Sequence, residues 1–157
     1  MHKNSGFTLY ELLAVIGIVA VLSMIAIPNI ISWLPKYRLG SAARHLLSAM
    51  QYARLTAVKE NVNIFVKFDP PNDIYMLFPD YNSDENQDGD EPTLKQGNMP
   101  GGVSLKETNF NDDSFKFDSR GLASVTGGTI SLTNNLNTLT RIRINRTGNS
   151  RILADDE

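Results

Sequence analysis

The chain has 157 residues, with 15 Lys and Arg against 17 Asp and Glu for a formal charge of -2, two histidines and no cysteine. That length holds one compact domain and an attached segment but not two full domains, and the missing cysteine excludes a disulfide framework, a thiol nucleophile and any cysteine-held zinc or iron-sulfur centre without fixing the compartment. Near-neutrality excludes a generally basic nucleic-acid binder and leaves local patches open.

The apolar residues are unevenly spread. Between Phe7 and Leu34, 21 of 28 residues are hydrophobic, against 43 of 123 from Pro35 to Glu157. Met1 to Gly6 is short and polar, with Lys3 as its one firm positive charge. Phe7 to Ile27 then runs 21 residues interrupted only by Thr8, Glu11, Gly17 and Ser23. As a helix rising about 1.5 Å per residue, it matches the roughly 30 Å hydrocarbon core of a bilayer. Lys3 on the short side favours a cytoplasmic N-terminus and a body across the membrane. A cleaved secretory signal has a shorter apolar core, about 7 to 15 residues, and a small-x-small site, neither of which fits this run. A plain anchor leaves Glu11 unexplained: a carboxylate in hydrocarbon costs about 2.5 to 3.5 kcal/mol and calls for a partner or a wet place near the interface. Pro28 removes a backbone donor and clashes with the carbonyl of Met24, which predicts a kink or local melting from Met24 to Pro28, unless the helix ends at the membrane surface.

Gly6-Phe7-Thr8-Leu9-Tyr10-Glu11-Leu12-Leu13 resembles the type IV prepilin signature; Tyr10, where Ile or Val is commoner, is a mild departure. The resemblance implies that residues 1–6 are a leader cut by a prepilin peptidase between Gly6 and Phe7, that Phe7 is N-methylated, that Glu11 is the assembly residue and that Pro28 is the helix-distorting proline. A freed α-amino group is cationic below a pKa of about 8. Glu11 can neutralise the amine of Phe7 in the same chain or a neighbour, so a charge that is costly in lipid becomes a reason to dock into a bundle of helices.

Residues 36–60 continue the helix as an amphipathic stretch. Leu39, Ala43, Leu46, Met50, Ala53 and Ala57 recur at spacings of four and three, while Arg38, Ser41, His45, Gln51, Arg54 and Lys59 mostly face elsewhere. The apolar stripe predicts packing against a sheet, and His45 a surface position. The rest reads as short strands at Val62 to Phe68, Ile74 to Phe78, Val103 to Lys106, Phe115 to Asp118, Thr129 to Thr133, Thr140 to Asn145 and Ser150 to Leu153, joined at Pro70-Pro71-Asn72-Asp73, Gly101-Gly102, Gly127-Gly128 and Asn134-Asn135. The expected fold is α+β: a long N-terminal helix, membrane-spanning over 7–34, packed through its amphipathic half on an antiparallel sheet within a body of residues 35–157. Asp90-Glu91-Pro92, Phe117-Asp118-Ser119-Arg120-Gly121, Gly128-Thr129-Ile130-Ser131-Leu132 and Arg141-Ile142-Arg143-Ile144-Asn145-Arg146-Thr147-Gly148 follow an order similar to that of the GspH/FimT class of minor pilins and pseudopilins.

Two charged constellations stand out. From Asp69 to Glu91 there are 8 acidic residues and no Lys or Arg. Within that stretch Asp84, Asn86, Asp88 and Asp90 alternate as in the first half of a calcium loop, with Gly89 at the sixth position. Lys95 stands where the closing acid belongs, so calcium would need Glu91, Asp80 or backbone carbonyls; a solvated acidic turn is the other reading. Arg141, Arg143, Arg146 and Arg151 form the basic counterpart. If Thr140 to Asn145 is a strand, alternation sends Ile142 and Ile144 inward and Arg141 and Arg143 outward. The arginines then suit a subunit contact, a solvated face or DNA phosphates. DNA-binding pilins of the FimT type carry Gly-Arg-x-Arg, to which Gly148-Asn149-Ser150-Arg151 is similar except at Asn149.

No nucleotide-binding glycine loop and no HExxH stands in the chain, and a single histidine would remain after loss of the leader. The sequence therefore reads as an assembly protein without a required cofactor, not as an enzyme. The resemblance implies, as the favoured role, a minor pseudopilin of a type II secretion system near the filament tip, in the bacterial inner membrane with its body periplasmic, and with other pilins and the prepilin peptidase as partners. The alternatives are a minor pilin of a type IV pilus, including one that takes up DNA, and a monomeric membrane-anchored binding protein.

Overall fold

The structure, a computed structural model, describes residues 7–153. The expected leader, residues 1–6 with Lys3 and Gly6, lies outside them. Helix α1 spans Leu9–Glu60. Its end is set by Asn61 in the left-handed region (φ 57°) and by the Val62 N–H donating to the Ala57 carbonyl at 3.2 Å, a Schellman closure with asparagine in the place glycine usually takes. The chain divides between Leu34 and Pro35 into two compact units.

In the first unit the apolar side chains stand bare, from Phe7 at 87% exposure to Trp33 at 57%. The helix includes a stretch long and apolar enough to cross a membrane, none of it buried within the chain. It stays helical through Pro28, so the melting expected from Met24 to Pro28 is absent. A proline deletes one bond of the ladder, and intact turns on either side hold the rest.

In the second unit all six positions of the predicted stripe are buried, joined by Ala42, Ala49 and Thr56. Leu39, Leu46 and Met50 are the large side chains of this buried face, and alanines occupy most of the positions between them. The strands are β1 Asn63–Asp69, β2 Ile74–Asp80, β3 Lys95–Asn98, β4 Val103–Thr108, β5 Ser114–Phe117, β6 Gly127–Asn134, β7 Leu139–Asn145 and β8 Ser150–Leu153. They form two antiparallel sheets, ordered β3-β2-β1-β5 and β4-β6-β7-β8, where one was expected. The chain leaves the first sheet at β4, returns to it at β5 and leaves again, which no local pattern announces. Both sheets feed one core with the helix stripe, through Ile64, Val66 and Leu77 from the first and Leu132, Ile142 and Ile144 from the second.

Two further differences are caused by partners outside the segments concerned. Strand β3, Lys-Gln-Gly-Asn, has no apolar alternation and exists by backbone pairing to β2, with Gly97 opposite Tyr75 and leaving room for its ring. Gly127 and Gly128, expected as a turn, lie inside β6, because the Phe110 ring occupies the space a Cβ on Gly128 would need. Phe110 stacks in turn on Phe68 at 5.8 Å.

One side chain ties two of the loops to the helix. The Arg54 guanidinium donates from Nε to the Gly121 carbonyl at 2.9 Å, from Nη2 to the Thr147 carbonyl at 2.9 Å and from Nη1 to Asn149 Oδ1 at 3.0 Å. Gly121 (φ 76°) and Gly148 (φ 78°) meet at this point, and a Cβ on Gly148 would collide with the Gly121 carbonyl. The turn before Gly121 is organised by Asp118, whose Oδ1 accepts from the N–H groups of Arg120 and Leu122 and whose Oδ2 accepts from the Arg120 guanidinium at 2.8 Å. Partial burial works to raise the Asp118 carboxyl, but the backbone N–H of Leu122 and the contacts to Arg120 outweigh it and hold the group below its ordinary value.

Leu46→Ala should lower the unfolding free energy by about 2 to 5 kcal/mol, read by chemical denaturation in detergent, because the cavity lies where helix and sheets meet. Asp118→Ala should cost about 1 kcal/mol at pH 7. The folded pKa of Asp118 is below its ordinary 3.8, so its contribution is complete above that pH and fades as pH falls below it toward the folded value. Wild type and variant should thus differ at pH 7 and draw together as the pH falls below 3.8; a gap that does not narrow in acid would contradict the assignment.

Candidate functional site

The N-terminal site is built around Glu11. Its Oε2 accepts from the Thr8 backbone N–H at 2.9 Å and from the Thr8 hydroxyl at 2.9 Å, while the Glu11 N–H donates to Thr8 Oγ1 at 3.2 Å. This is a capping box: the third residue of the helix and its cap satisfy each other's free donors. The sequence reading paired the carboxylate only with the Phe7 amine and missed Thr8, although the Thr-x-x-Glu spacing before an apolar run was its signal. Glu11 therefore has a local resting partner one residue from Phe7, and the helix N-terminus adds a favourable field.

The acidic loop does not gather the predicted ligands. Asp84 Oδ1 accepts from the Asn86 N–H at 2.9 Å, Asp88 Oδ2 from the Asn82 side chain at 2.9 Å, and Asp84, Asn86, Asp88 and Asp90 are all exposed. Among the described residues no three acidic or histidine side chains are grouped to hold a metal. Lacking a closing acid at Lys95, the loop satisfies itself through short asparagine and aspartate turns. What pins it is Glu91, 5% exposed, whose Oε1 accepts from the Tyr81 N–H at 2.8 Å and Oε2 from the Asp88 N–H at 3.3 Å. An ion pair from Lys116 to Glu85, 2.8 Å, holds the loop over the first sheet, with the same ammonium 5.1 Å above the Phe65 ring.

The arginines fall as alternation predicts. Ile142 and Ile144 are fully buried, and Arg141, Arg143, Arg146 and Arg151 are exposed. Register places Arg143 directly opposite Arg151 on β8, a like-charge cross-strand pair that costs stability unless an anion lies between. Among the described residues none of the four has an acidic partner, the ion pairs being Lys116–Glu85 and Arg120–Asp118. The structure also accounts for Asn149: its side chain accepts from Arg54, and an arginine there would bring two guanidinium groups together. Arg54 itself was read as an outward residue, since a helix face alone does not reveal loops that arrive from over 60 residues away.

Comparison with known proteins agrees with this geometry. The family model for type II transport protein GspH matches residues 42–148, and that for the prokaryotic N-terminal methylation motif matches residues 1–27. No curated protein matches the chain. Among solved structures it is similar to the type IV minor pilin FimU of Pseudomonas aeruginosa, at 18% identity and a TM-score of 0.62 over 78% of this chain and 92% of that one. It is also similar to the minor pseudopilin EpsH of the Vibrio cholerae type 2 secretion system, at 16% identity and a TM-score of 0.58 over 76% of this chain and 99% of that one. These likenesses concern the fold, whereas the family match covers most of the sequence. The chain belongs to the type II transport protein GspH family.

Proposed function

We propose that the protein is a minor pseudopilin of a type II secretion system, made as a prepilin and assembled through its N-terminal helix. The observation that supports this most is the union in one chain of a GspH body with a methylation-motif helix whose apolar faces are all bare. The helix lodges in the inner membrane with its N-terminus cytoplasmic and its body periplasmic, until a prepilin peptidase cuts between Gly6 and Phe7 and Phe7 is methylated. The new amine then competes with Thr8 for the Glu11 carboxylate. Within one chain the exchange changes little; between chains it draws a subunit into a filament of pilins, where Pro28 gives the rod a place to bend. The body takes a position near the filament tip.

One observation favours a second reading, a minor pilin that grips DNA: Arg143 and Arg151 face each other with Arg141 and Arg146 close in sequence, a spacing able to hold phosphates. Asn149, engaged by Arg54, adds nothing to that grip.

Mass spectrometry of the membrane-extracted protein should show loss of residues 1–6 and a methylated Phe7; an intact N-terminus would overturn both readings. Glu11→Ala and Glu11→Gln separate the two roles of the carboxylate, because glutamine keeps the capping box and loses the charge. Both variants should insert and be processed, and both should enter filaments at least tenfold less than wild type, as measured on sheared filaments. Normal incorporation of Glu11→Gln would show that the cap, not the charge, is what assembly needs.

A further inference from the structure

We propose that the acidic loop closes over a calcium-sized divalent cation held by the buried carboxylates of Asp80 and Glu91, and not by the exposed run from Asp84 to Asp90. Asp80, at the end of β2, is 3% exposed, and neither of its carboxylate oxygens has a hydrogen-bond partner. The other buried side-chain atoms without partners among the described residues, Asn134 Nδ2 and Ser150 Oγ, belong to neutral groups. A carboxylate differs from these: its oxygens only accept, and an ionised one out of water costs several kcal/mol unless a donor or a cation meets it. No described ion pair supplies that cation.

Its direction follows from the strand. Tyr75 and Leu77 join the core shared with the helix, whereas Phe78 turns to the other face and stacks on Phe65 at 5.5 Å. Alternation puts Asp80 on the Phe78 face. That face is the one beneath the loop, as the Lys116 ammonium shows by touching both Phe65 and Glu85. Asp80 is thus sealed under a segment with no Lys or Arg between Asp69 and Glu91. The second carboxylate is adjacent: Tyr81, the residue after Asp80, donates its N–H to Glu91 Oε1 at 2.8 Å, and each Glu91 oxygen retains a further lone pair.

An all-oxygen site selects a hard cation over a transition metal. Two carboxylates completed by loop carbonyls and water suit the flexible shell of calcium better than the strict octahedron of magnesium. The inference rests on the loop alone, so it stands or fails separately from the filament reading.

The full chain in detergent micelles, melted with calcium chloride, magnesium chloride or a chelator, tests it. At calcium a hundredfold above Kd the melting temperature should rise by roughly 5 to 10 °C, with a smaller response to magnesium. Asp80→Asn should abolish the rise and, in chelator, melt no lower than wild type, since it removes the unpartnered charge. Asp84→Asn should keep the rise. Coincident wild-type curves, a rise that survives Asp80→Asn, a rise lost in Asp84→Asn, or an equal response to magnesium would each overturn the assignment. Should Asp80→Asn fail to fold, calorimetric titration of wild type decides: one calcium per chain is expected, and no binding heat overturns the proposal.

Discussion

A helical segment whose apolar side chains stand bare from Phe7 to Trp33 is the constraint on which the rest depends. From Phe7 to Trp33 the rod offers water only hydrocarbon, broken by a few small or polar residues. Lipid can cover that surface, and so can other rods of the same kind. Moving from one shelter to the other gains little hydrophobic free energy, because acyl chains are as apolar as leucine. The choice between them therefore falls to the few polar groups in the rod. Glu11 is the only ionisable side chain between Phe7 and Leu34 apart from Tyr10, and its capping box with Thr8 lets it rest without a partner from outside until a better one is made.

The body solves a different problem, that of building a core from its own residues. It does so by lining one face of the helix with alanine and a few large residues, which allows two sheets to share a single apolar layer. Arg54 closes the arrangement at the far end of the helix, tying the Gly121 turn and the β7–β8 turn to one guanidinium. The arginine hairpin is thereby fixed in place, and the Asn149 side chain is engaged by Arg54.

Elements written in short-range periodicity were legible in the sequence. The stripe from Leu39 to Ala57, the inward Ile142 and Ile144 and most of the strands follow from spacings of three, four and two. Features that depend on distant residues were not. The pairing of β5 with β1 separates two sheets that locally look like one, and β3 forms from polar residues because β2 offers an edge. Gly128 looked like a turn because the Phe110 ring that fills its place comes from a separate, earlier segment of the chain. The charged sites divide the same way. The Thr-x-x-Glu box was readable and overlooked, whereas the burial of Asp80 and Glu91 beneath the loop depends on the fold and could not be read from the alternation that drew attention to Asp84 through Asp90.

The claim at the centre is that the bare rod finds its final shelter among other rods. The chain has no cysteine, so single cysteines placed along the rod report their neighbours without background. Ile16→Cys, oxidised in cells that assemble filaments with cysteine-bearing partner pilins, should form disulfide cross-links to those partners, and only when the leader has been removed. Labelling by lipid-soluble probes in the same cells with no cross-link to any pilin would show a rod that remains alone in the bilayer, and would contradict the account.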